Sequence, residues 1–330
     1  MGILSNFFFN DQDSESGDNL TIRVGEEAEY IDAIKLILGG MDTGVTDGMA
    51  LEFVEYTRNR GLSQGLLFIA IEGHKMIAAA LPILSAGRTA LLFTSKPTHE
   101  SHLDVIPRLI EEVCSATAKH DVQLIQSLVD PANEPLQEDY LSCGFRTMAE
   151  LVYLHALIRE PVPFPELPAN MFWMNYSAEV HSLFAKAIAD SYENSLDCPA
   201  LNGVRSMRDI IDGHKACGVF DPAHWLLLYE KKSEGDQVLG ILLLTSSGNQ
   251  SEVMELVYLG LSASARGRKL GDLCMQQAMA IAAVSGQQVL SLAVDAKNTP
   301  ALRVYYRAGM KNITSKLAMM RELGGKSAEE

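Results

Sequence analysis

The chain has 330 residues, of which 47% are hydrophobic and 21% charged, the composition of a soluble protein long enough for two domains. Its formal net charge of −15 argues against a broad phosphate-binding surface, and nucleic acid is therefore not expected as a partner. A local basic patch can still bind a small anion, because the local field decides this rather than the net charge.

The five cysteines show no CxxC pair, and the histidines do not cluster at metal-ligand spacing, so we expect no metal site. An odd cysteine count and a start without the basic region of a secretion signal predict reduced thiols and a cytoplasmic location. No apolar run approaches the roughly 18 residues that indicate a membrane span, so no membrane contact is expected. Residues 1–19 and 326–330 are predicted to be tails.

Two halves of the chain show the same order of predicted elements. Each half begins with a strand and two helical stretches. Three strands, a long amphipathic helix, a buried strand, a short helix and a final pair of strands follow. The stretch PVPFPELP at 161–168 separates the halves, because four prolines in eight residues favour an extended connector. These patterns predict domains at 20–160 and 171–325, joined by a linker at 161–170.

A short sequence repeat links the two halves. VDPANEPLQEDYLSCG at 129–144 and VDAKNTPALRVYYRAG at 294–309 agree at six positions without a gap, so that Val129 corresponds to Val294 half a chain later. This agreement favours duplication of a whole αβ domain. The alternative is that glycine and proline recur in turns for structural reasons alone.

A basic, glycine-containing turn follows the predicted strand EVMELVYLGLS in the second half. Such a turn before a helix can bind phosphate, because the first N–H groups of a helix have no internal partners and the helix dipole favours an anion. Arg266, Arg268 and Lys269 add positive charge there; a basic surface loop is the alternative. The helix is predicted to begin near Gly267. Its core stripe should comprise Leu270, Cys274, Ala278, Ile281 and Val284.

This turn and the repeat after it resemble the GNAT (GCN5-related N-acetyltransferase) superfamily of acyl-CoA-dependent N-acyltransferases. The pyrophosphate loop of that family, R/Q-x-x-G-x-G/A, matches Arg266 and Gly271, while Lys269 stands where the family has glycine. A later family pattern, Asn followed by A-x-x-x-Y-x-x-x-G-F, is matched except at its last position, which is Met310. The matching residues are Asn298, Ala301, Tyr305 and Gly309. The resemblance spans most of residues 172–325.

The resemblance implies an α/β (α+β) fold of two tandem GNAT-type domains, each a mixed, mostly antiparallel sheet flanked by helices. It also implies acetyl-CoA, or another acyl-CoA, as co-substrate and an amine as acceptor. In this family the pantetheine arm lies between splayed strands, so the backbone of Leu259 and Leu261 is expected to hold it, opposite Asn298. The expected cofactor-binding loop comprises Arg266, Gly267, Arg268, Lys269, Leu270 and Gly271.

Acyl transfer to an amine needs a base, because an amine with a pKa near ~10.4 is almost entirely protonated at pH 7. Glu255 lies eleven residues before Arg266, the offset of the catalytic glutamate in members of the superfamily. In a regular strand it shares an apolar face with Leu259 and Leu261, which should raise its pKa. An ion-paired or solvent-exposed glutamate is the alternative, and Glu252 is the weaker candidate for the base.

Tyr305 matches the family tyrosine that protonates the departing CoA thiolate, and a core residue is the alternative interpretation. Cys274 is predicted to be a buried, inert thiol rather than a nucleophile. In the acidic tract at 191–203, Glu193 or Asp197 could attract an amine, but a solvated loop is the preferred interpretation.

The first half is expected to have lost cofactor binding. At the offset that matches Val129 with Val294, Glu255 corresponds to Ala90, and both loop glycines are replaced. The positions equivalent to 266–269 and 271 are Ser101, His102, Leu103, Asp104 and Ile106. Asn133 and Tyr140 remain, so this half is interpreted as a degenerate domain kept for packing or as a wall of the acceptor site.

The sequence thus predicts an acetyl-CoA-dependent N-acetyltransferase with one active site, in the C-terminal domain. The alternative is a non-catalytic acyl-CoA-binding sensor or interaction module, since a side chain at Lys269 hinders close approach of a phosphate. The acceptor, the acyl group and the oligomeric state do not follow from the sequence.

Overall fold

The structure is a computed structural model, and it describes residues 20–39, 44–59, 66–99, 102, 104–246 and 252–324. The predicted tails at 1–19 and 326–330 lie outside the described residues, as do Ser101 and Leu103. In the described part of the chain, no helix is long and apolar enough to cross a membrane.

Both halves contain the same elements in the same order, as predicted. The first half comprises β1 (Leu20–Val24), α1 (Tyr30–Leu38), α2 (Asp47–Asn59), β2 (Phe68–Glu72), β3 (Lys75–Ser85), β4 (Thr89–Thr94), α3 (Val105–Thr117), β5 (Leu124–Val129), α4 (Glu134–Ser142) and β6 (Arg146–Leu157). The second half comprises β7 (Met171–Asn175), α5 (His181–Tyr192), α6 (Met207–Ala216), β8 (Trp225–Glu230), β9 (Gln237–Ser246), β10 (Val253–Leu261), α7 (Leu270–Val284), β11 (Val289–Asp295), α8 (Thr299–Arg307) and β12 (Lys311–Glu322). The predicted final pair of strands is wrong in both halves, which each end in one long strand.

The twelve strands of the described residues form one continuous sheet in the order β1-β2-β3-β4-β5-β12-β6-β11-β10-β9-β8-β7. Only the β4–β5 and β10–β11 pairs of these strands are parallel, so the sheet is mixed and mostly antiparallel, as expected. The last strand of each half is exchanged: β12 pairs with β5 of the first half, and β6 pairs with β11 of the second. The halves therefore share one sheet, and the segment 161–170 predicted as a linker lies between β6 and β7.

Helices cover both faces of the sheet and bury separate apolar clusters. In the second half, α5 and α6 pack on one face around Phe184 and Trp225, and α7 and α8 pack on the other around Met275 and Tyr305. In the first half, α1 and α2 cover one face and α3 and α4 the other.

The predicted core stripe of α7 is confirmed except at its end. Leu270, Cys274, Ala278 and Ile281 are buried, whereas Val284 is 73% exposed because it is the last residue of the helix. The helix begins at Leu270, three residues after the predicted start at Gly267. Burial raises the pKa of the Cys274 thiol to about 12, which agrees with an inert core cysteine.

The sequence repeat marks the same turn and helix start twice. Asn133 and Asn298 are the N-caps of α4 and α8, and each accepts a 3.4 Å hydrogen bond from the backbone N–H three residues on. Gly144 and Gly309 follow the two helices with φ values of 75° and 83°, a conformation that favours glycine. The repeated residues are therefore required by the fold in both halves.

The offset between the two copies of the repeat does not hold along the whole chain. It holds for β5 and β11, in which Gln126 is equivalent to Ser291. Leu91 pairs with Gln126 just as Glu255 pairs with Ser291, so Leu91, and not Ala90, is the structural equivalent of Glu255. The prediction that Ala90 replaces Glu255 is therefore wrong by one position, and the apolar Leu91 stands there.

Candidate active site

Strands β10 and β11 diverge after a short parallel ladder in the second half. They pair only from Val253 to Glu255 on β10 and from Val289 to Ser291 on β11. Both strands then continue, β10 to Leu261 and β11 beyond Ser291. The divergence leaves an opening in the sheet between the second part of β10 and the end of β11.

A β-bulge between Leu256 and Tyr258 changes which side chains of β10 share a face. Leu256 packs on the α7 side before the bulge, and Leu259 and Leu261 pack on that side after it. Glu255, the neighbour of Leu256, therefore faces α5 and α6. The prediction that Glu255 shares a face with Leu259 and Leu261 is wrong, because the bulge inserts one residue into the regular alternation.

Beyond the bulge, one edge of β10 is directed into the opening. The Ser262 N–H donates to the Leu239 carbonyl of β9 at 2.9 Å. Hydrogen-bonding groups alternate sides along an extended strand, so those of Leu261 and Leu259 point away from β9 and toward the opening. This is the orientation that the resemblance implied for these two residues.

A cavity of about 450 Å³ occupies the opening. It is bounded by the end of α5 and the loop after it, the second part of β10, the loop before α7, and α8. Nine of the eleven predicted site residues line it: Leu259, Leu261, Arg266, Gly267, Lys269, Leu270, Gly271, Asn298 and Tyr305. The other two, Glu255 and Arg268, are not among its lining residues.

The loop before α7 uses left-handed backbone conformations. Gly267 has φ 75° and Lys269 has φ 62°, and Lys269 is the N-cap residue of α7. A left-handed conformation at a residue other than glycine costs on the order of 1–2 kcal/mol, which explains why the family has glycine where this chain has Lys269. The lysine side chain is exposed at the helix N-terminus, where it adds positive charge to the helix dipole.

Gly271 has a packing role in addition to its place in the cavity wall. A Cβ atom at Gly271 would lie 3.1 Å from Cγ2 of Val304, so glycine allows α7 to approach α8 closely. In the first half, the equivalent residue is Ile106 of α3. Its side chain is only 1% exposed and packs into the apolar core beneath that helix. The glycine and its replacement therefore pack differently in the two halves.

Arg266 ties the loop to the end of α5. Its guanidinium donates to the backbone carbonyls of Glu193 at 2.6 Å, Ser191 at 2.8 Å and Asn194 at 3.3 Å. The last carbonyls of a helix have no partners within it, and a cation there is favoured by the helix dipole. Arg266 thus fixes the start of the loop at residues 193–198, which forms one wall of the cavity.

Arg268 points away from the cavity. Its guanidinium donates to both carboxylate oxygens of Glu230, at 2.6 and 3.2 Å, and these bonds lower the pKa of that carboxyl. The sequence expectation that Arg268 binds the cofactor therefore has no support from its position. Of the three cationic side chains of this loop, only that of Lys269 has no hydrogen bond or ion pair with the described residues.

Tyr305 presents its side chain to the cavity. It is 7% exposed, and burial raises the pKa of its hydroxyl above the ordinary value. Among the described residues, no hydrogen-bond partner of this hydroxyl is found. An unpartnered hydroxyl in a cavity wall is available to donate a hydrogen bond or a proton to a ligand.

The corresponding opening in the first half is closed by side chains. Tyr140, equivalent to Tyr305, is fully buried, and its hydroxyl lies 3.0 Å from Oγ1 of Thr94. Ser127 of β5 donates to the Leu92 carbonyl of β4 at 3.0 Å, across the diverging strands. The position of Ser127 is taken by Leu292 in the second half, which has no hydroxyl to make this bond.

Asp197 lies in the cavity wall, and the preferred interpretation of a solvated loop is wrong for it. Its Oδ1 atom accepts from the Asp295 N–H at 3.5 Å. Burial raises the pKa of Asp197 above its usual value. No local sequence signal indicates this contact, because Asp295 is 98 residues away along the chain. Glu193, the other acidic candidate in the tract, is exposed.

Glu255 has polar neighbours on the face of α5 and α6. It pairs with Thr245 of β9 and Ser291 of β11. Burial and, second, the charge of Glu255 raise the pKa of Tyr153, a residue of the exchanged strand β6. Ala293, next but one to Ser291, is exposed although β11 lies inside the sheet, so this face is open beside Glu255.

Comparison with known proteins agrees with these features. Residues 192–310 match the model of the acetyltransferase (GNAT) family. The chain is 27% identical over 301 residues to the mycothiol acetyltransferase of Clavibacter sepedonicus, covering 88% of this chain and 92% of that protein.

No group of three or more potential metal ligands is found in the described part of the chain.

Two solved structures share the fold over both halves. The GCN5-related N-acetyltransferase from Sphaerobacter thermophilus has a TM-score of 0.61 at 17% identity, with 93% of this chain and 97% of that one covered. A tandem GNAT protein from the clavulanic acid biosynthesis pathway has a TM-score of 0.51 at 14% identity, with coverages of 93% and 100%. The fold and the family match define the class of protein, an N-acyltransferase. The second half thus carries the GNAT family match, and both halves share the fold of a tandem GNAT protein.

Proposed function

We propose that the chain transfers the acyl group of acetyl-CoA, or of another acyl-CoA, to a primary amine of a small molecule or a protein. The reaction takes place at one active site, in the second half. A single observation carries this proposal: one cavity brings together the inward-facing edge of β10, the N-terminus of α7 and the unpartnered hydroxyl of Tyr305.

The cavity suits a long ligand that is anionic at one end. The N-terminus of α7 and the Lys269 ammonium favour a diphosphate at the loop. The backbone groups of Leu259 and Leu261 can bind the amides of the pantetheine arm as an additional strand would. Asn298 lines the cavity opposite β10, and its side-chain carbonyl oxygen also caps α8.

Glu255 is the proposed base, and the acceptor approaches from the face of α5 and α6, where the sheet is open. The carboxylate takes a proton from the ammonium, and the neutral amine attacks the thioester carbon. The C–S bond then breaks as Tyr305 gives its proton to the departing thiolate. The nitrogen of the new amide returns a proton to the tyrosinate, and Glu255 releases its proton to solvent. A positioned base or acid of this kind contributes about 10²–10⁴-fold to the rate.

The first half contributes structure to this active site instead of forming a second active site. Tyr153 of β6 stands near Glu255, so the exchanged strand forms part of the acceptor wall. In the first half, Leu91 stands at the position of the proposed base Glu255. Hydrogen bonds of Thr94 and Ser127 close the opening between β4 and β5. These differences support cofactor binding at one site for each chain.

Release of free CoA tests the proposal directly. The protein is incubated with acetyl-CoA and a panel of primary amines, and the free thiol is titrated. The likeness to a mycothiol acetyltransferase favours small-molecule acceptors in the first panel. We expect amine-dependent thiol release that falls strongly in Tyr305→Phe. Saturable CoA binding without turnover across the panel would instead favour the non-catalytic acyl-CoA-binding alternative.

A further inference from the structure

The wall of the cavity carries charged side chains of both signs. Lys269 stands at the α7 end, and among the described residues no carboxylate forms an ion pair with it. Asp272 and Arg307 also line that end, but they pair with each other at 2.7 Å. The remaining charged residues of the described wall are Arg266, whose guanidinium is bound to three backbone carbonyls, and the acidic Asp197. A charge distribution of this kind fits ligands that bring an anionic group and a cationic group.

The Asp197 carboxylate is held in place by the loop around it. Arg266 fixes the start of this loop through the carbonyls of α5. The Cys198 N–H donates to Oδ2 of Asp295 at 3.3 Å, and the Asp295 N–H donates to Asp197 at 3.5 Å. Both sides of Asp197 are therefore anchored, and its position does not depend on a ligand.

The charge of Asp197 is not compensated within the described structure. The titratable groups that face it are all acidic or neutral: Tyr192, Cys198, Tyr258, Asp295 and Tyr305. No lysine, arginine or histidine of the described residues forms an ion pair with it. A partly buried carboxylate without a cation is costly, unless a ligand supplies the cation.

A second observation in the same cavity indicates a ligand. Tyr305 is 7% exposed, and its hydroxyl has no partner among the described residues. This hydroxyl faces the cavity without a partner in the described chain, so it is available to bond a group of a ligand. Asp197 and the Tyr305 hydroxyl lie in one cavity, where burial and, second, the charge of Asp197 raise the pKa of Tyr305.

We propose that Asp197 binds an ammonium group of the acceptor, so that the site selects amines that carry a second positive charge. The bound ammonium is not the reacting nitrogen, because an ion pair with a carboxylate favours the protonated form, whereas the attacking amine must be neutral. The acceptor is then a diamine, or a larger molecule with two amino groups. This inference rests on the proposed acyl transfer and adds a specificity residue to it.

Binding to the CoA-loaded protein tests the inference without turnover. Calorimetry compares 1,4-diaminobutane with 4-amino-1-butanol, which has the same length and one cation fewer. A charge-assisted hydrogen bond makes the diamine bind about 10- to 100-fold more tightly. Asp197→Asn, which keeps an oxygen for the Asp295 N–H, removes this preference. Asp197→Ser serves the same purpose if the asparagine variant does not fold.

Asp212→Asn is the matched control, because the half-buried Asp212 of α6 pairs with Arg208 at 3.8 Å and does not line the cavity. It is expected to keep the preference of the parent. Equal binding of both compounds by the parent, binding of neither, or a preference that persists in Asp197→Asn would overturn the inference. Failure of CoA to bind refutes the proposed function itself, whereas normal CoA binding without a diamine preference refutes only the role of Asp197.

Discussion

Tyr140 and Tyr305 occupy the same position of the repeat, yet only the Tyr140 hydroxyl has a hydrogen-bond partner among the described residues, Oγ1 of Thr94 at 3.0 Å. The two tyrosines therefore provide a matched pair. Tyr305→Phe should reduce turnover by about 10²-fold or more, because the thiolate loses its proton donor. CoA affinity should change little, since the ring and its packing remain. Thiol release and calorimetry measure the two quantities separately.

Tyr140→Phe is the control for this prediction. Loss of its hydrogen bond should lower the free energy of unfolding by about 0.5–1.5 kcal/mol without altering turnover. If Tyr305→Phe retains full activity, or if both variants affect only stability, Tyr305 is a packing residue like its counterpart.

Glu255→Gln should remove the acidic limb of the pH–rate profile. A base works only when deprotonated, so the rate rises with pH through its pKa, and glutamine has no such titration. CoA affinity should stay near that of the parent, because Glu255 does not line the cavity. Glu252→Gln is the control, since Glu252 is exposed and three residues away on the chain. An acidic limb that survives in Glu255→Gln would assign the proton transfer to another group.

The two loop arginines should respond differently to removal. Arg266→Ala releases three carbonyls at the end of α5, so we expect a loss of about 1.5–3 kcal/mol in unfolding free energy. CoA affinity should fall as the cavity wall loosens. Arg268→Ala should leave CoA affinity near the parent value, because Arg268 does not line the cavity. Its partner Glu230 keeps Lys232 at 3.6 Å and Asn170 at 3.3 Å. Thermal unfolding and calorimetry test this; weaker CoA binding in Arg268→Ala alone would contradict the structure.

Much of this site follows from local sequence patterns. The order of elements, the turn before α7 and the Asn298 cap depend on residues close together in the chain, so periodicity and turn chemistry predict them. The loop residues expected to bind the cofactor line the cavity, apart from Arg268. Its partner Glu230 lies 38 residues earlier, and nothing near Arg268 in the sequence indicates that pair.

The features that sequence patterns missed depend on distant contacts or on a single inserted residue. The exchange of β6 and β12 requires pairing between strands from opposite halves of the chain, such as Lys311 with His155. The bulge after Leu256 places Glu255 and Leu259 on opposite faces of the sheet, and no residue type at this position indicates a bulge. Asp197 enters the site through Asp295, which is remote in sequence.

Gly271→Ala tests the packing role of that glycine. The new methyl group would lie 3.1 Å from Val304, so overpacking should cost about 1–3 kcal/mol of stability. Adding Val304→Ala makes room, and the double variant should recover stability relative to the sum of the two single changes. Denaturant unfolding of the four proteins measures this coupling. Strictly additive effects would mean that the two residues do not compete for space.

The two halves share a fold, but we expect only the second to bind CoA. Calorimetric titration of the full chain with CoA tests it most directly. We predict one saturable site for each chain, which weakens when the charge at the loop is reversed by Lys269→Glu. In the first half, the Thr94–Tyr140 contact and the bond from Ser127 to Leu92 close the equivalent opening. A stoichiometry of two, or one site whose affinity is unaffected by Lys269→Glu, would contradict the claim.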